Sequence, residues 1–241
     1  MRRIFLYTEV VGRGPVVVNR DKARYLSSVL RCVEGEIISV TDLNGNSYLS
    51  RIASITRKEV IIEVLERQDI DAESRLHIRL LQGVLKGEKM DLVVQKATEL
   101  GVKEVVPVVT ERSQIRETKK LARWRKIAEE ASRQSGRSRV PVIHETMEFA
   151  DLTNSGLVSG GGIIFWEQCG DNLSALLRRR KGQDEIALFT GPEGGFSELE
   201  VRAAAEMGLS PATLGKRILR AETAAITAVA IAQYELGDLC A

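Results

Sequence analysis

Residues 185–200 read Glu185-Ile186-Ala187-Leu188-Phe189-Thr190-Gly191-Pro192-Glu193-Gly194-Gly195-Phe196-Ser197-Glu198-Leu199-Glu200. The opening residues are apolar enough for a strand buried on both faces. A glycine-rich turn follows, and Ser197 with Glu200 forms a capping box that starts a helix. Strand, glycine loop and helix in that order bring backbone amides close to a ligand at the carboxyl edge of a sheet. The same string also describes a tight turn that holds nothing, which is the commoner case for a generic pair of glycines. Familiar cofactor motifs do not fit: there is no G-x-G-x-x-G, and six residues separate Gly208 from Gly215-Lys216, with Arg217 where a P-loop needs Ser or Thr. An ATPase or dehydrogenase reading is weak.

Working outward, strands and helices alternate. The pattern predicts strands over 76–85, 105–109 and 162–166 and helices over 88–100, 119–134 and 222–236. Met90, Val93, Val94, Ala97 and Leu100 share one face of the first helix, and Gly101 stands where a C-terminal cap belongs. This alternation implies an α/β fold with a mostly parallel sheet covered on both faces. Pro107 cannot donate to a ladder, so its strand is expected to be interrupted or at an edge there. Residues up to about 71 have another rhythm. β-branched runs at 16–18, 36–40 and 59–64 alternate with turn signals at 12–15, 34–35 and 44–46, and one helix is expected over 21–30. Asn44-Gly45 is the strongest hairpin cue, because both residues tolerate positive φ. The expected organisation is a small β-barrel over 1–71, a polar linker near 69–74, and an α/β domain over 72–241.

The chain has 241 residues, 44% hydrophobic and 28% charged, which excludes a disordered, collagenous or disulfide-framework protein. It lacks an apolar run of about 18 residues, so no membrane span is expected. The start, Met1-Arg2-Arg3-Ile4-Phe5-Leu6-Tyr7-Thr8-Glu9, is basic without the apolar stretch of a signal peptide. Cys32, Cys169 and Cys240 are odd in number and far apart, which fits neither disulfides nor zinc and points to a reducing, cytoplasmic setting. His77 and His144 stand alone in the sequence, so no metal site is expected.

A formal net charge of +2 hides an asymmetry. Arg112, Arg116, Lys119, Lys120, Arg123, Arg125, Lys126, Arg133, Arg137 and Arg139 face only Glu117, Glu129 and Glu130. From Asp184 onward acidic residues outnumber basic ones, and Arg178-Arg179-Arg180-Lys181 forms a second basic cluster. At 100° per residue, Lys119, Arg123, Lys126 and Arg133 fall within about 80° of one another, opposite Leu121, Trp124, Ala128 and Ala131. A flexible basic loop, Ser135-Gly136-Arg137-Ser138-Arg139, follows. The stripe is either a phosphate-contact surface or an ordinary solvated face.

A second glycine loop, Leu214-Gly215-Lys216-Arg217-Ile218-Leu219-Arg220-Ala221-Glu222-Thr223-Ala224, enters the last helix. That helix is apolar nearly all round and alanine-rich, so it is expected to be buried on most sides. A core helix leaves Arg220 and Glu222 at its start unexplained. Charges there need partners, and a pair bracketing a cleft is a functional candidate.

Four motifs now stand in order across nearly the whole chain: Gly87-Glu88-Lys89-Met90 with Gln95-Lys96-Ala97-Thr98-Glu99-Leu100-Gly101-Val102; Gln134-Ser135-Gly136-Arg137-Ser138-Arg139-Val140-Pro141; Gly191-Pro192-Glu193-Gly194-Gly195; and the 214–224 loop. Each is weak alone. In register, the set resembles the RsmE family of 16S ribosomal RNA (uracil-N3)-methyltransferases of the SPOUT superfamily. Leu26-Ser27-Ser28-Val29-Leu30-Arg31 also resembles the family, with Tyr25 where a histidine is usual.

The resemblance implies a PUA-like β-barrel, RNA-binding, followed by a SPOUT-type α/β domain with a C-terminal trefoil knot. It implies S-adenosyl-L-methionine held by Thr190, Gly191, Pro192, Glu193, Gly194, Gly195, Leu214, Gly215, Ile218, Leu219 and Arg220. It also implies a homodimer acting on small-subunit ribosomal RNA or the assembled small subunit. Arg220 is the expected electrostatic catalyst. Glu222 or Glu193 would position groups or accept the proton of N3, which requires a raised pKa. Expected RNA contacts are Arg24, Arg31, Lys86, Lys89, Arg112, Arg116, Lys119, Arg123, Lys126, Arg133, Arg137 and Arg139. A non-catalytic RNA-binding assembly factor and a tRNA methyltransferase are the competing readings.

Overall fold

The computed structural model describes all residues except 1, 7–9, 11–13, 43, 69–72, 117–118, 169–170 and 241, with the side chains at 19–21 also outside it. The expected turn at 12–15, most of the expected linker, Glu117 and Cys169 therefore fall wholly or partly outside the described residues. The chain divides into two compact units. One comprises Met1–Glu73 with Ser132–Arg139, the other Ser74–Ala131 with Val140–Ala241.

In the first unit, β1 (Arg2–Phe5), β2 (Pro15–Asn19), β3 (Ile37–Thr41), β4 (Ser47–Ile55) and β5 (Glu59–Gln68) form one sheet in the order β1-β3-β4-β5-β2. Its core draws on all five strands: Ile4, Val18, Ile38, Val40, Ile52, Val60 and Ile62 pack together with Ala23 and Leu26. The last two come from α1 (Arg20–Arg24) and the π-helical turn Tyr25–Val29 that continues it. The β3–β4 hairpin forms at the expected place, and Gly45 takes φ of 82°. Its turn is organised by Asp42, whose carboxylate accepts the amides of Asn44 and Asn46 and the Tyr48 hydroxyl.

The second unit is an α/β sandwich. Its sheet runs β12-β10-β11-β6-β7-β8, built from β6 (His77–Gly83), β7 (Glu104–Val109), β8 (Val142–Ile143), β10 (Gly162–Phe165), β11 (Glu185–Thr190) and β12 (Leu209–Ala212); β9 (Met147–Glu148) also pairs with β7. All of these pairings are parallel. Alternate residues feed two cores, which explains the nearly continuous apolar strands. Ile78, Leu80, Ile186 and Leu188 face one side with Met90, Val93, Trp124 and Val229. Those partners come from α2 (Lys89–Glu99), α3 (Leu121–Ser135) and α7 (Ala221–Leu236), and α5 (Leu173–Arg179) contributes Leu176 and Leu177 to the same side. Leu81, Ala187 and Phe189 face the other side, against Leu152 of α4 (Leu152–Ser155) and Val201 and Ala204 of α6 (Glu198–Glu206).

Two expectations need sharpening. The strand containing Pro107 is continuous and internal, but its ladder on the β8/β9 side is interrupted at the proline, as expected. Val105 accepts the amide of His144 on the β8 side, whereas Val108 accepts from Val84 on the β6 side. Strand alternation therefore turns Pro107 to the β8/β9 side. There β8 pairs with residues 104–105 and β9 with 108–109, so the missing donor faces the gap between them. The second expectation concerns the histidines, which stand together in space. His77 Nε2 and His144 Nε2 each lie 2.6 Å from Glu104, on opposite carboxylate oxygens, and Arg79 adds a bond of 2.9 Å. Burial raises the Glu104 carboxyl, but the hydrogen bonds from Arg79, His77 and His144 outweigh it and bring its pKa down to about 2.

Candidate active site

Strands β10, β11 and β12 are neighbours and parallel, so the segments leaving their carboxyl ends converge on one edge. They enclose a cavity of about 340 Å³ lined by the whole of 191–196, by 213–222 and by Phe165, Trp166 and Glu167. The volume suits a nucleoside-sized ligand. The first glycine loop is placed from below. Thr190 donates to Gln82 at 2.7 Å, and Gln82 donates in turn to the carbonyl of Gly191. Gly83 lets the loop lie against the end of β6, since a Cβ there would stand 2.4 Å from the nitrogen of Pro192. Beyond the loop the capping box closes as expected: Ser197 donates its amide to Glu200 at 2.9 Å and accepts the Glu200 amide.

Ten of the expected cofactor residues line the cavity in the two loops: Gly191, Pro192, Glu193, Gly194, Gly195, Leu214, Gly215, Ile218, Leu219 and Arg220, with Glu222 beside them. Thr190 does not; it is fully buried, and its hydroxyl supports the loop from beneath. Arg220 and Glu222 are not a buried ion pair. Arg220 is exposed and its guanidinium makes no hydrogen bond or ion pair among the described residues, whereas Glu222 Oε2 is buried with no hydrogen-bond partner there. Trp166 Nε1 is a second buried orphan on the cavity lining. Sequence reasoning missed Trp166 as a lining residue, although the end of a strand beside a glycine loop was a signal for it.

Glu193 is well partnered. Its Oε1 accepts the Lys89 ammonium at 2.9 Å and the Lys86 amide at 3.1 Å. Burial pushes the carboxyl up, but these bonds prevail and hold it below its ordinary value. Arg112 reaches the same loop through the carbonyl of Gly194. Lys86, Lys89 and Arg112, expected as RNA contacts, thus stand beside the glycine loop.

The remaining cations are spread over both units. On α3, Trp124, Ala128 and Ala131 are buried and Arg123 and Lys126 exposed, as the stripe predicts, while Lys119 precedes the helix. Arg123 lies 2.6 Å from Asp91, whose other oxygen accepts the Trp124 indole. Arg116 is exposed and donates to the carbonyl of Glu111. In the first unit Arg24, Arg31 and Arg139 are exposed, and Arg31 holds its backbone at φ of 51°. The Arg133 guanidinium sits 5.1 Å above the ring of Tyr25. Arg137 contradicts its expected role: it is 3% exposed and bound to Glu73 at 2.7 Å. Glu73 also accepts the amides of Ser138 and Arg139, so the loop expected to be flexible is anchored.

Residues 72–233 match the family model for the RNA methyltransferase domain, and 18–65 match that for the RNA methyltransferase PUA domain. The Ribosomal RNA small subunit methyltransferase E of Buchnera aphidicola (subsp. Acyrthosiphon pisum) is 31% identical over 98% of this chain and 94% of that relative. The chain belongs to the ribosomal RNA small subunit methyltransferase E family. Solved structures agree with that membership. The Neisseria gonorrhoeae family protein, bound to S-adenosyl methionine, is 34% identical with a TM-score of 0.91 over 99% of both chains. A methyltransferase from Legionella pneumophila in complex with SAM is 30% identical with a TM-score of 0.88 over 98% of both. The family's PUA-like first domain and α/β methyltransferase domain correspond to the two sheets described above. No group of three or more His, Cys, Asp or Glu is placed to hold a metal ion among the described residues, and no helix there is long and apolar enough to cross a membrane.

Proposed function

We propose that the chain binds S-adenosyl-L-methionine between its two glycine loops and methylates N3 of a specific uridine in 16S ribosomal RNA, within the assembled small subunit. The observation that carries this reading is the pair of orphaned polar atoms on the cavity lining, Trp166 Nε1 and Glu222 Oε2. A buried polar group without a partner costs about 1–3 kcal/mol, so a cavity carrying a donor and an acceptor of this kind is built for a ligand that answers both. The residues present fit the cofactor. Phe165, Phe196, Leu214 and Leu219 offer apolar walls, and the main chain of both loops offers donors and acceptors. When bound, the cofactor supplies a methyl group on a positively charged sulfur.

The chain's own groups do the rest. Removing the N3 proton spreads negative charge onto O2 and O4 of uracil, and the unpartnered Arg220 guanidinium at the cavity is placed to stabilise it. Glu193 is unsuited to take that proton, because Lys89 and the Lys86 amide already hold its charged form. Glu222 remains, with a buried oxygen able to accept from N3–H. The exposed cations position the RNA through its phosphates rather than read its sequence.

The same reading includes the C-terminal knot, the 1–71 and 72–241 domains, an RNA-binding role for the barrel, and a cytoplasmic homodimer without metal or membrane. A second copy would cover Ile218, which is 85% exposed, and Tyr234 on α7. Mass mapping of ribosomal RNA from cells lacking the protein tests the substrate: one small-subunit uridine should lack its methyl group, and complete methylation would remove the assignment. Titration with S-adenosyl-L-methionine tests the class, since RNA binding without cofactor binding would make the chain a non-catalytic assembly factor.

A further inference from the structure

We infer that Lys89 is a relay between the RNA and the cofactor cavity. It neutralises Glu193 in the free protein and transfers to an RNA phosphate on binding, which leaves the cavity with an uncompensated carboxylate that favours a cationic ligand. This rests on the cofactor and RNA reading above and adds a means of regulating that site.

The geometry supports an exchange of partners. Glu193 belongs to the glycine loop and lines the cavity, and Lys89 lines it too, with the two in contact at 2.9 Å. The Lys89 side chain is 41% exposed and that of Glu193 only 19%, so an incoming polyanion reaches the cation of the pair first. Lys89 is the first residue of α2, where the helix dipole disfavours a positive charge. Its surroundings repel it further. Lys86 is exposed three residues earlier, and Lys120 Nζ donates to the carbonyl of Gly87 at 2.8 Å. Of the other carboxylates in that turn, Asp91 is already engaged by Trp124 and Arg123, and Glu88 is turned to solvent near Arg123. A phosphate approaching this cluster offers Lys89 a charge-assisted bond as strong as the one it holds, and relieves the repulsion as well.

The sign follows from the charges. S-adenosyl-L-methionine carries one positive charge more than S-adenosylhomocysteine, the thioether left after methyl transfer. While Lys89 covers Glu193, the cavity discriminates weakly between them. Once Lys89 turns to phosphate, Glu193 attracts the cationic form and gains nothing from the neutral sulfur. RNA binding thereby retains the loaded donor and favours release of the spent one.

Titration calorimetry on the full chain tests this with two unreactive ligands. Sinefungin has an ammonium group in place of the sulfonium, and S-adenosylhomocysteine has the neutral thioether. Each is titrated into free protein and into protein saturated with small ribosomal subunits that lack the methyl group. RNA should raise the affinity ratio of sinefungin to S-adenosylhomocysteine about three- to tenfold, the scale of one charge uncovered at short range in a partly solvated site. Lys89→Met should show the raised ratio without RNA and move less than about twofold when RNA is added. Lys89→Arg should behave as the parent, and Glu193→Gln should keep the low ratio throughout. A purely structural Lys89 would weaken both ligands together and leave the ratio still. A parent ratio indifferent to RNA, or an RNA effect that survives in Lys89→Met, overturns the relay. Failure of either ligand or of the RNA to bind at all is a different result: it overturns the proposed function, and the relay with it.

Discussion

At the amino-terminal edge of the parallel sheet, Glu104 is surrounded by donors from His77, Arg79 and His144. At the carboxyl-terminal edge, Glu222 keeps a buried oxygen with no hydrogen-bond partner, and the Arg220 guanidinium beside it has none either, among the described residues. Both edges belong to one sheet: Glu104 opens β7, and Glu222 stands in the first turn of α7, after the second glycine loop. The difference shows what charges in this fold are for. Where strand starts meet, charge is consumed internally and holds the sheet together. Where strand ends open into loops, charge and hydrogen-bonding capacity are left over for something that is not protein. Changing a satisfied charge should therefore alter stability, and changing a spare one should alter function.

The sharpest break of that comparison is Arg220→Ala. Loss of an electrostatic group aimed at developing charge should reduce turnover by about 10²–10³-fold, the range seen when one such donor is removed. Its melting temperature should stay at that of the parent. Cofactor affinity, measured by calorimetry, should change far less than turnover; equal losses in the two would contradict the assigned role and make Arg220 a binding residue.

The two edges also differ in how much of them the sequence displays. The carboxyl edge was legible because its chemistry is local: glycine loop, capping box and second loop are contiguous strings, and 191–195 with 214–222 sufficed to name most of the cavity wall. The amino-terminal edge was not. His77, Glu104 and His144 are separated by 27 and 40 positions, and only the register of three parallel strands brings them onto one carboxylate. Arg137 failed for the same reason, since its partner Glu73 lies 64 positions away. In the barrel, β4 escaped notice because Ser47 and Ser50 occupy buried positions that a hydrophobic pattern expects to be apolar. β12, Leu209-Ser210-Pro211-Ala212, escaped because it is short and contains a proline, which an edge strand tolerates.

Glu104→Gln tests the satisfied edge. The amide cannot accept from two histidines and an arginine as a carboxylate does, and the cost should be about 1–3 kcal/mol at neutral pH, measured by denaturant unfolding. The pH dependence has a definite sign. The folded carboxyl titrates at about 2 against an ordinary 4.5, so over that interval the unfolded chain binds the extra proton. The stabilisation is complete above pH 4.5 and is lost as pH falls toward 2. Glu104→Gln should flatten the stability profile across that window, and a profile as steep as the parent's would assign acid sensitivity to other carboxylates.

The smallest effect comes from the basic stripe, where the same distinction runs along a single helix. Arg123 and Lys126 are both exposed on α3, but Arg123 is tied to Asp91, which also holds the Trp124 indole in the core. The Lys126 ammonium has no hydrogen bond or ion pair among the described residues. Reversing Arg123 would place a carboxylate against Asp91 and mix loss of packing with loss of RNA contact. Lys126→Glu is the clean probe. If this cation meets a phosphate, the variant should bind ribosomal RNA more weakly whatever the sequence, with the slope of log affinity against log salt reduced by about 1, and should unfold at the same denaturant concentration as the parent. Unchanged affinity would remove Lys126 from the phosphate contacts, and a shifted unfolding midpoint would show that Lys126 is consumed internally after all.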